Sequence, residues 1–453
     1  MQRLKTIFIT ALVAAAGIAQ AAPTPEEIKQ LGTTLTEWGA EKAGNKDGTI
    51  PAYTGGLTKP PARYSSSRPT YYPDPFPEDK PLFSIDAKNM DKYGDKIADG
   101  VKAMMRKYPT FHIDVYQTRR LAAYPQHVLD NTLKNTTRCH VAEDTKGLNS
   151  ECWGGIPFPI PKDGYEVMWN HTAAYRGGAR MMEEWPTYVK PDGELVTTGK
   201  NIRYTESGIY NPRKPGWSFA QRVEYSGPPR LAGMISIYYD RENDLERLAW
   251  NYVPAARRVR LAPDFAADTP IAPIGGAAVY DDLNMFVGKM DRFDFKLVGK
   301  QEMYIPINNY KLNFPEKGSV CEGDSRYMPY HMRPECIRWE LRRVWHVHAS
   351  LKPGKRHVYK ERDFYYEEDA WYGGLFQSYD MSGKIYRVGF DGQAPDYVHL
   401  APVMEQSSIY DLSSGTYVYI QLGPRGTINV PYLKPEELAP ESMTQALLKF
   451  PSN

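Results

Sequence analysis

The chain has 453 residues, and its charges nearly balance, with 56 lysines and arginines against 54 aspartates and glutamates. These charges are interspersed and form no basic stripe or patch, which excludes a nucleic-acid-binding role. Aromatic residues are abundant, with 33 tyrosines, 9 tryptophans and 15 phenylalanines, and such rings favour pleated strands and the walls of amphipathic cavities.

The first 21 residues predict a secretory signal peptide. Arg3 and Lys5 supply its positive charge, residues 6–16 form an uncharged apolar run, and residues 19–21 give the A-x-A pattern at which signal peptidase cleaves. The apolar run is well short of the ~20 residues that span a bilayer, so we favour a cleaved leader over a membrane anchor. We therefore expect cleavage near Ala21 and export to the bacterial periplasm.

The segment after the leader predicts a short helix followed by an extended strap. Residues 24–27 form a capping box with proline at the first helical position, which predicts a helix from Pro25 to about Leu31. Glycines and prolines over residues 39–81 are typical of a strap on the surface or of a disordered linker. The aromatic side chains of this stretch would be costly to leave in water, so we favour a docked strap.

The clearest helical pattern covers residues 89–107, and Pro109 stops it. Its large apolar residues recur at steps of three and four, and they are Met90, Tyr93, Ile97, Val101, Met104 and Tyr108. Gly94 and Gly100 weaken an isolated helix, so this one must bury its apolar stripe against another element.

After Tyr165 the apolar period changes to two, which predicts strands. Residues 234–239 and 247–253, joined by a polar turn, predict a hairpin. Further strands are predicted at residues 339–349, 357–366, 375–379, 385–390 and 417–422, with a hairpin turn at 380–384. Connections this short exclude a parallel sheet and predict an antiparallel meander.

Four cysteines form two close pairs, Cys139 with Cys152 and Cys321 with Cys336. In an oxidising compartment an even count predicts a disulfide framework, and four cysteines allow three pairings. We favour local pairing, because closing a loop of about fifteen residues stabilises a fold by about 3 kcal/mol. A metal site is the alternative, but the spacing lacks the C-x-x-C form and no H-x-x-x-H pair accompanies it.

The sequence lacks the G-x-S-x-G, H-E-x-x-H, Walker and Rossmann motifs. The best enzyme-like feature is the pair His346 and His348, which lie on the same side of a strand, as in a metal or proton-transfer site. The alternative is a solvated face, with Trp345 and Val347 towards the core. We favour this alternative, because no carboxylate stands at a diagnostic spacing, and we predict no catalytic residue, metal or cofactor.

Three runs of charge are predicted to face solvent. Asp281-Asp282 and Glu367-Glu368-Asp369 are interpreted as turn residues, because neighbours on a strand point to opposite faces and do not build an acid–base pair. Arg258 and Arg260 lie on one side of an extended strand. Such a pair can contact an anionic head group or a partner protein. More commonly it forms a solvated face.

Several long and unusual strings, spread over nearly the whole mature chain, carry a resemblance to a known family. They are GAEKAGN at 39–45, GTIP at 48–51, GGIPFPIP at 154–161, WNYVP at 250–254, RRVR at 257–260, APDF at 262–265 and DRFDFKLVGK at 291–300. They resemble the bacterial domain-of-unknown-function 1329 family, whose members are often labelled outer-membrane lipoprotein-sorting proteins.

This resemblance implies a fold similar to that of the periplasmic lipoprotein carriers. It implies an α+β fold class that is mainly β, with a strongly curved antiparallel sheet that forms an incomplete barrel and with helices on its concave side. Because the chain is far longer than those carriers, we divide it into the leader at 1–21, an N-terminal strap with helices at 22–164, and the sheet domain at 165–453, the last two forming one continuous fold. The family has no established reaction or ligand to carry over.

A half-barrel lined by apolar side chains offers a groove for a hydrophobic ligand, and each buried methylene contributes ~0.8 kcal/mol. We predict a non-enzymatic periplasmic carrier or chaperone that binds a lipid or a lipoprotein acyl chain and works with inner- and outer-membrane transport proteins. The candidate lining residues, which also suit an ordinary core, are Ile237, Tyr239, Trp250, Tyr252, Trp345, Phe364 and Trp371. The alternatives are an envelope enzyme acting on a glycan or lipid, which should show His346 or His348 beside a carboxylate in a cleft, and a transport scaffold without a small-molecule ligand.

Overall fold

The computed structural model describes residues 22–243, 247–262, 267–271, 274–404 and 407–447. The predicted leader and its cleavage site lie outside the described residues, as do Pro263, Asp264 and Phe265 of the family strings. None of the described helices is long and apolar enough to cross a membrane.

The described helices are short, and four of the six precede β3 in the chain. They are α1 (Pro25–Ile28), α2 (Asp99–Lys107), α3 (Gln126–Arg138), α4 (Gly164–Thr172), α5 (Tyr310–Asn313) and α6 (Pro440–Leu447). The capping box predicted for α1 is confirmed, since Glu27 N donates to Thr24 Oγ1 at 3.2 Å and Thr24 N donates to Glu27 Oε2 at 2.8 Å. The helix ends at Ile28, earlier than Leu31.

The helix predicted over residues 89–107 is broken in two. Met90–Lys96 form a 3-10 segment, Ile97 and Ala98 are extended, and α2 follows. Gly94 has φ 48° and ψ −122°, which a residue with a side chain rarely adopts. The apolar stripe is nevertheless buried as predicted, because Val101 and Met104 of α2 are inaccessible to solvent.

The described residues also form eighteen strands. They are β1 (Phe83–Ile85), β2 (Ile113–Tyr116), β3 (Ala179–Val189), β4 (Leu195–Thr197), β5 (Lys200–Ser207), β6 (Trp217–Gly227), β7 (Ile235–Arg241), β8 (Leu248–Val253), β9 (Arg258–Leu261), β10 (Phe293–Pro306), β11 (Arg338–Leu351), β12 (Glu361–Glu367), β13 (Gly374–Tyr379), β14 (Ile385–Asp391), β15 (Ala394–Asp396), β16 (Ala401–Met404), β17 (Ser407–Asp411) and β18 (Thr416–Val430). The hairpin of β7 and β8 is thus confirmed, with Ile237 opposite Trp250. The other predicted strands are confirmed too, except that the one predicted from residue 357 begins at Glu361.

Sixteen of the described strands form one sheet. From edge to edge its main order is β10-β11-β12-β13-β14-β17-β18-β3-β5-β6-β7-β8-β9, and all of these neighbours are antiparallel, as the meander prediction requires. At the start of β11, β2 pairs in parallel and carries β1. The sheet is large, curved and not closed into a barrel, which confirms the predicted fold class. Arg258 and Arg260 are exposed on the edge strand β9, as a solvated face requires.

Helices cover both faces of the central strands. On one face α4 packs against β10 and β11 and shares a core with Phe364 and Tyr366. On the other face α2 packs against β14 and shares a second core with Tyr365 and Leu375. The N-terminal segment also contributes β1 and β2 to the sheet, and the division of the chain at residue 164 stays a prediction.

Both predicted disulfides are present and join local partners. The Sγ–Sγ distance is 2.06 Å for Cys139 and Cys152 and 2.09 Å for Cys321 and Cys336. Each bond closes a short loop, with sequence separations of 13 and 15 residues. Local pairing is therefore confirmed, and the metal alternative for these cysteines is excluded.

Candidate functional site

A cavity of about 290 Å³ lies between the sheet and the chain that follows β9. Strands β3, β5, β6, β7 and β8 form its floor. Residues 267–271 and 274–284, which we call the cover segment, close the other side with Ile271, Ile274 and Leu283. Small-molecule sites commonly occupy ~300–1,000 Å³, so this cavity is near the lower end of that range.

The floor combines polar and apolar side chains because of the strand register. Arg203 of β5 lies opposite Val223 of β6, Val223 lies opposite Ser236 of β7, and Ser236 lies opposite Asn251 of β8. Directly paired residues point to the same face of a sheet. These four side chains therefore form one row beneath the cavity, and Asn201 lies beside them on the same face of β5.

A buried ion pair lies at one end of the floor. Arg203 Nη2 donates to Glu184 Oε1 at 2.6 Å, and the two side chains are only 10% and 8% exposed. Arg203 Nη1 donates to Gln221 Oε1 at 3.3 Å. Buried charges persist when they are paired and hydrogen-bonded, so this end of the cavity is polar but carries no net charge.

Two amide oxygens of the floor have no hydrogen-bond partner among the described residues. They are Oδ1 of Asn201 and Oδ1 of Asn251, and both atoms are buried. Asn201 as a whole is 5% exposed. The floor therefore presents two acceptors, on β5 and β8, that other parts of the described chain do not satisfy.

Four of the seven predicted lining residues lie on the floor strands but on the opposite face. Ile237, Tyr239, Trp250 and Tyr252 alternate with the floor residues of β7 and β8. They pack in a separate core with residues of the C-terminal segment, including Met443 of α6. The period-two pattern separates the two faces correctly, but nothing in it shows which face carries a cavity.

The other three predicted lining residues lie in the core beneath α4. Phe364 and Trp371 are fully buried, and Trp345 stacks on Trp371 with ring centroids 5.6 Å apart. The seven side chains thus belong to two cores and none of them lines this cavity. Their role in ligand binding stays a prediction.

His346 and His348 lie on one side of β11, as predicted, and converge on a carboxylate. His346 Nε2 and His348 Nδ1 each lie 2.9 Å from Asp363 Oδ1. Burial would raise the pKa of Asp363, but hydrogen bonds from the two histidines and Gln377 outweigh it and hold this pKa below its usual range. The hydrogen bond to Asp363 raises the pKa of His348 against the opposing effect of burial.

This histidine–carboxylate cluster was not evident from the sequence, because Asp363 comes from the neighbouring strand β12. The histidines are half-buried rather than fully solvated, which corrects the expectation of a solvated face. The described residues contain no group of three or more histidine, cysteine, aspartate or glutamate side chains arranged to hold a metal ion. None of the three cluster residues lines the cavity.

The prediction that Asp281 and Asp282 face solvent is wrong. They are 3% and 0% exposed. Asp281 Oδ2 lies 3.0 Å from His357 Nε2, and Asp282 Oδ1 accepts from Arg362 Nη2 at 3.0 Å. Arg362 neutralises both carboxylates, since its Nη1 also lies 2.9 Å from Asp281 Oδ2. It lies 81 and 80 residues after them in the chain, and a local sequence pattern does not reveal such a partner.

The same correction applies to Glu367, Glu368 and Asp369, which are all buried. Arg342 Nη2 donates to Glu367 Oε1 at 2.6 Å and to Asp369 Oδ2 at 3.0 Å. Arg120 Nη2 donates to Asp369 Oδ1 at 2.6 Å. These carboxylates form an ion network within the protein rather than a solvated turn.

Comparison with known proteins gives a family match and structural neighbours. The model of the family described as protein of unknown function (DUF1329) matches residues 84–446. An uncharacterized protein of Pseudomonas aeruginosa is 38% identical over 430 residues, which are 92% of this chain and 92% of that protein. The resemblance predicted from the sequence strings is therefore confirmed.

Three solved structures are similar over about three-fifths of the chain. A domain from Vibrio parahaemolyticus named for outer membrane lipoprotein sorting has a TM-score of 0.44 at 11% identity, covering 62% of this chain and 98% of its own. A DUF1329 family protein from Desulfovibrio piger has a TM-score of 0.41 at 13% identity, with coverages of 62% and 97%. A LolA superfamily protein from Nitrosomonas europaea has a TM-score of 0.37 at 8% identity, with coverages of 61% and 98%.

Proposed function

The chain belongs to the DUF1329 family, and from this premise we propose that it is a non-enzymatic carrier or chaperone of a hydrophobic ligand, such as a lipid or an acyl chain. It holds this ligand in the cavity beneath the cover segment and acts in envelope transport, with inner- and outer-membrane transport proteins as its partners. The observation that carries the proposal is the cavity of about 290 Å³ between an open sheet and the cover segment.

The apolar part of the cavity supports the binding of a hydrocarbon chain. Val223 on the floor and Ile271, Ile274 and Leu283 on the cover segment provide apolar contact. Burial of six methylenes contributes roughly 5 kcal/mol at ~0.8 kcal/mol each. Part of this free energy is lost when the ligand is immobilised, so we expect moderate affinity and reversible binding, as a carrier requires.

The disulfides and the leader support a periplasmic location. Disulfide bonds form and persist in oxidising compartments, of which the bacterial periplasm is one. Both bonds close local loops of the mature chain, and residues 1–21 have the charge and hydropathy pattern of a secretory signal. Together they favour a protein that works between the two membranes.

An enzyme is the second candidate, and one observation favours it. His346 and His348 share the carboxylate of Asp363, which is a combination that proton-transfer sites use. The cluster lies apart from the described cavity, however, because none of its three residues lines it. We therefore place the carrier first.

Lipid analysis of the purified protein tests the carrier against both alternatives. Organic extraction followed by mass spectrometry should recover a lipid that copurifies with the folded protein. A fluorescent fatty probe should bind to the delipidated protein and be displaced by that extract. An enzyme would instead release a chemically altered lipid or glycan, and a scaffold would bind neither probe nor extract.

A matched pair of variants tests whether this cavity is the binding site. Ser236 is 5% exposed and is one of the four side chains in the row beneath the cavity. Ser236→Phe should fill the cavity and weaken binding of the fluorescent probe about tenfold or more, since the ring occupies the space of the chain. Ser236→Ala leaves the cavity open and should bind like the parent protein. Unchanged binding by folded Ser236→Phe would show that the ligand lies elsewhere.

A further inference from the structure

We propose that the cavity selects a neutral, single-chain amphipathic ligand whose head group donates hydrogen bonds, as the hydroxyl groups of a glycerol ester do, to the amide oxygens of the floor. This inference rests on the carrier function proposed above and names the class of ligand that the cavity takes. It depends on three features of the cavity: its unsatisfied acceptors, its charge and its size.

The described residues leave two acceptors unsatisfied, and a ligand can supply the donors that these acceptors lack. Asn201 Oδ1 is buried in the cavity lining and has no partner among the described residues, and Asn201 is 5% exposed. Buried polar atoms in folded proteins nearly always have a hydrogen-bond partner. Asn251 Oδ1 is a second buried acceptor of the same kind, three strands away along the sheet. A head group with hydroxyl donors satisfies such acceptors.

The charge of the floor disfavours an anionic ligand. Among the described lining residues Glu184 and Arg203 are the charged ones, and they already neutralise each other at 2.6 Å. A fatty-acid carboxylate has only hydrogen-bond acceptors, so it cannot donate to the amide oxygens of the floor. It would also find no cation in the described lining that is not already paired. An ion buried without a partner is strongly disfavoured, so the head group is neutral.

The size of the cavity limits the ligand to one chain. Its volume of about 290 Å³ is close to the smallest that drug-sized ligands occupy, ~300 Å³. The cover segment supplies apolar contact through Ile271, Ile274 and Leu283, while the floor supplies the acceptors. The head group therefore lies on the strands and the short hydrocarbon chain lies against the cover segment.

Three probes with the same eight-carbon acyl chain test the head-group preference by titration calorimetry on the delipidated full-length mature protein. Monooctanoylglycerol carries two hydroxyl donors, methyl octanoate has no donor, and octanoate is an anion. We expect monooctanoylglycerol to bind about tenfold more tightly than methyl octanoate, the ratio that one or two buried hydrogen bonds produce. Octanoate should bind most weakly.

Removal of one acceptor should abolish the preference. Asn201→Leu keeps the branched shape of the side chain, with the same number of heavy atoms, and removes the acceptor. It should lower the affinity for monooctanoylglycerol to that for methyl octanoate, while methyl octanoate binds as before. Asn251→Leu provides a second test if Asn201→Leu does not fold. Equal binding of the two esters to the parent protein, or tightest binding of octanoate, would overturn the head-group proposal and leave the carrier function intact. Binding of none of the three probes would overturn the carrier function itself.

Discussion

Glu166 is a carboxyl group that folding removes from water. It lies in the first turn of α4 and is 6% exposed. Burial raises its pKa to about 7 from an ordinary value of 4.5, against the opposing effect of the hydrogen bond from Lys162 N. Below pH 4.5 the carboxyl is protonated in both the folded and the unfolded state, so it does not change the free energy of unfolding. As the pH rises from 4.5 to about 7 the unfolded state loses this proton more readily, and the fold loses stability.

Glu166→Gln should remove this pH dependence. The variant keeps an oxygen that accepts from Lys162 N but has no proton to lose. We expect it to match the parent protein at about pH 4 and to be more stable by about 1–3 kcal/mol at about pH 8. Denaturant unfolding at both pH values measures the difference. A gain of the same size at both values would show that Glu166 acts through packing rather than through its charge.

The buried charges show how far single residues can be predicted from the sequence. The sequence shows that Asp281, Asp282 and Glu367 are carboxylates. Whether these side chains face solvent or lie in the core depends on partners that are distant in the chain. His357 lies 76 residues after Asp281, and Arg120 lies 249 residues before Asp369. A local pattern contains no signal for such pairs, whereas the cysteine pairs, with separations of 13 and 15 residues, were predictable from spacing and compartment.

Helices and strands could be predicted from the sequence where hydrophobic periodicity alone determines them. Period two identified β7, β8 and the strands from β11 to β14, because each alternates between two different environments. The broken helix before Pro109 shows the limit of this argument. Periodicity reports which side chains are buried, and it does not require the backbone between them to be continuous. The cavity was missed for a related reason: alternation separates Ser236 from Ile237 but does not show that the cover segment lies over Ser236.

The break before α2 should depend on Gly94. Apart from Gly94 and its two chain neighbours, no described residue has an atom within 4 Å of the position that a Cβ would take. The cost of Gly94→Ala therefore comes from the backbone conformation alone. With φ 48° and ψ −122°, we expect a loss of about 1–2 kcal/mol in the free energy of unfolding. Asp95→Ala, at the exposed next position, is the matched control and should leave stability unchanged. If Gly94→Ala is as stable as this control, the backbone at residue 94 can adopt another conformation without loss of stability.

Across the whole molecule, buried ion pairs fasten the N-terminal segment to the sheet. Arg120, shortly after β2, meets Asp369, shortly after β12, at 2.6 Å, and the two side chains are 3% and 1% exposed. Arg338, the first residue of β11, meets Asp79 of the strap at 2.8 Å, and these side chains are 6% and 15% exposed. Such pairs add little net stability over apolar packing, but loss of one partner leaves a buried charge behind. The strap and the sheet are therefore expected to unfold together.

Arg120→Met should destabilise the protein strongly. Asp369 keeps Arg342 at 3.0 Å but loses its closer partner, and we expect a cost of about 3–5 kcal/mol. Lys190→Met removes the exposed contact with Glu194, where the side chains are 42% and 57% exposed, and should have little effect. Thermal unfolding of the two variants makes the comparison. If Arg120→Met unfolds the N-terminal segment first, in a separate transition, the strap and the sheet are independent units.

The position of β18 has a consequence for the order of folding. Strands β3 to β9 and strands β10 to β17 each pair largely with their neighbours in sequence. Among the described strands only β18 joins the two groups, with Val418 opposite Ile409 on one side and Tyr188 on the other. Each group can form from local contacts, whereas the joint closes a loop of more than 200 residues between β3 and β18. Among the described strands β18 is synthesised last, because it comes last in the chain. Until β18 is made, β3 and β17 each present an open edge, and open edges promote the aggregation of incompletely folded chains.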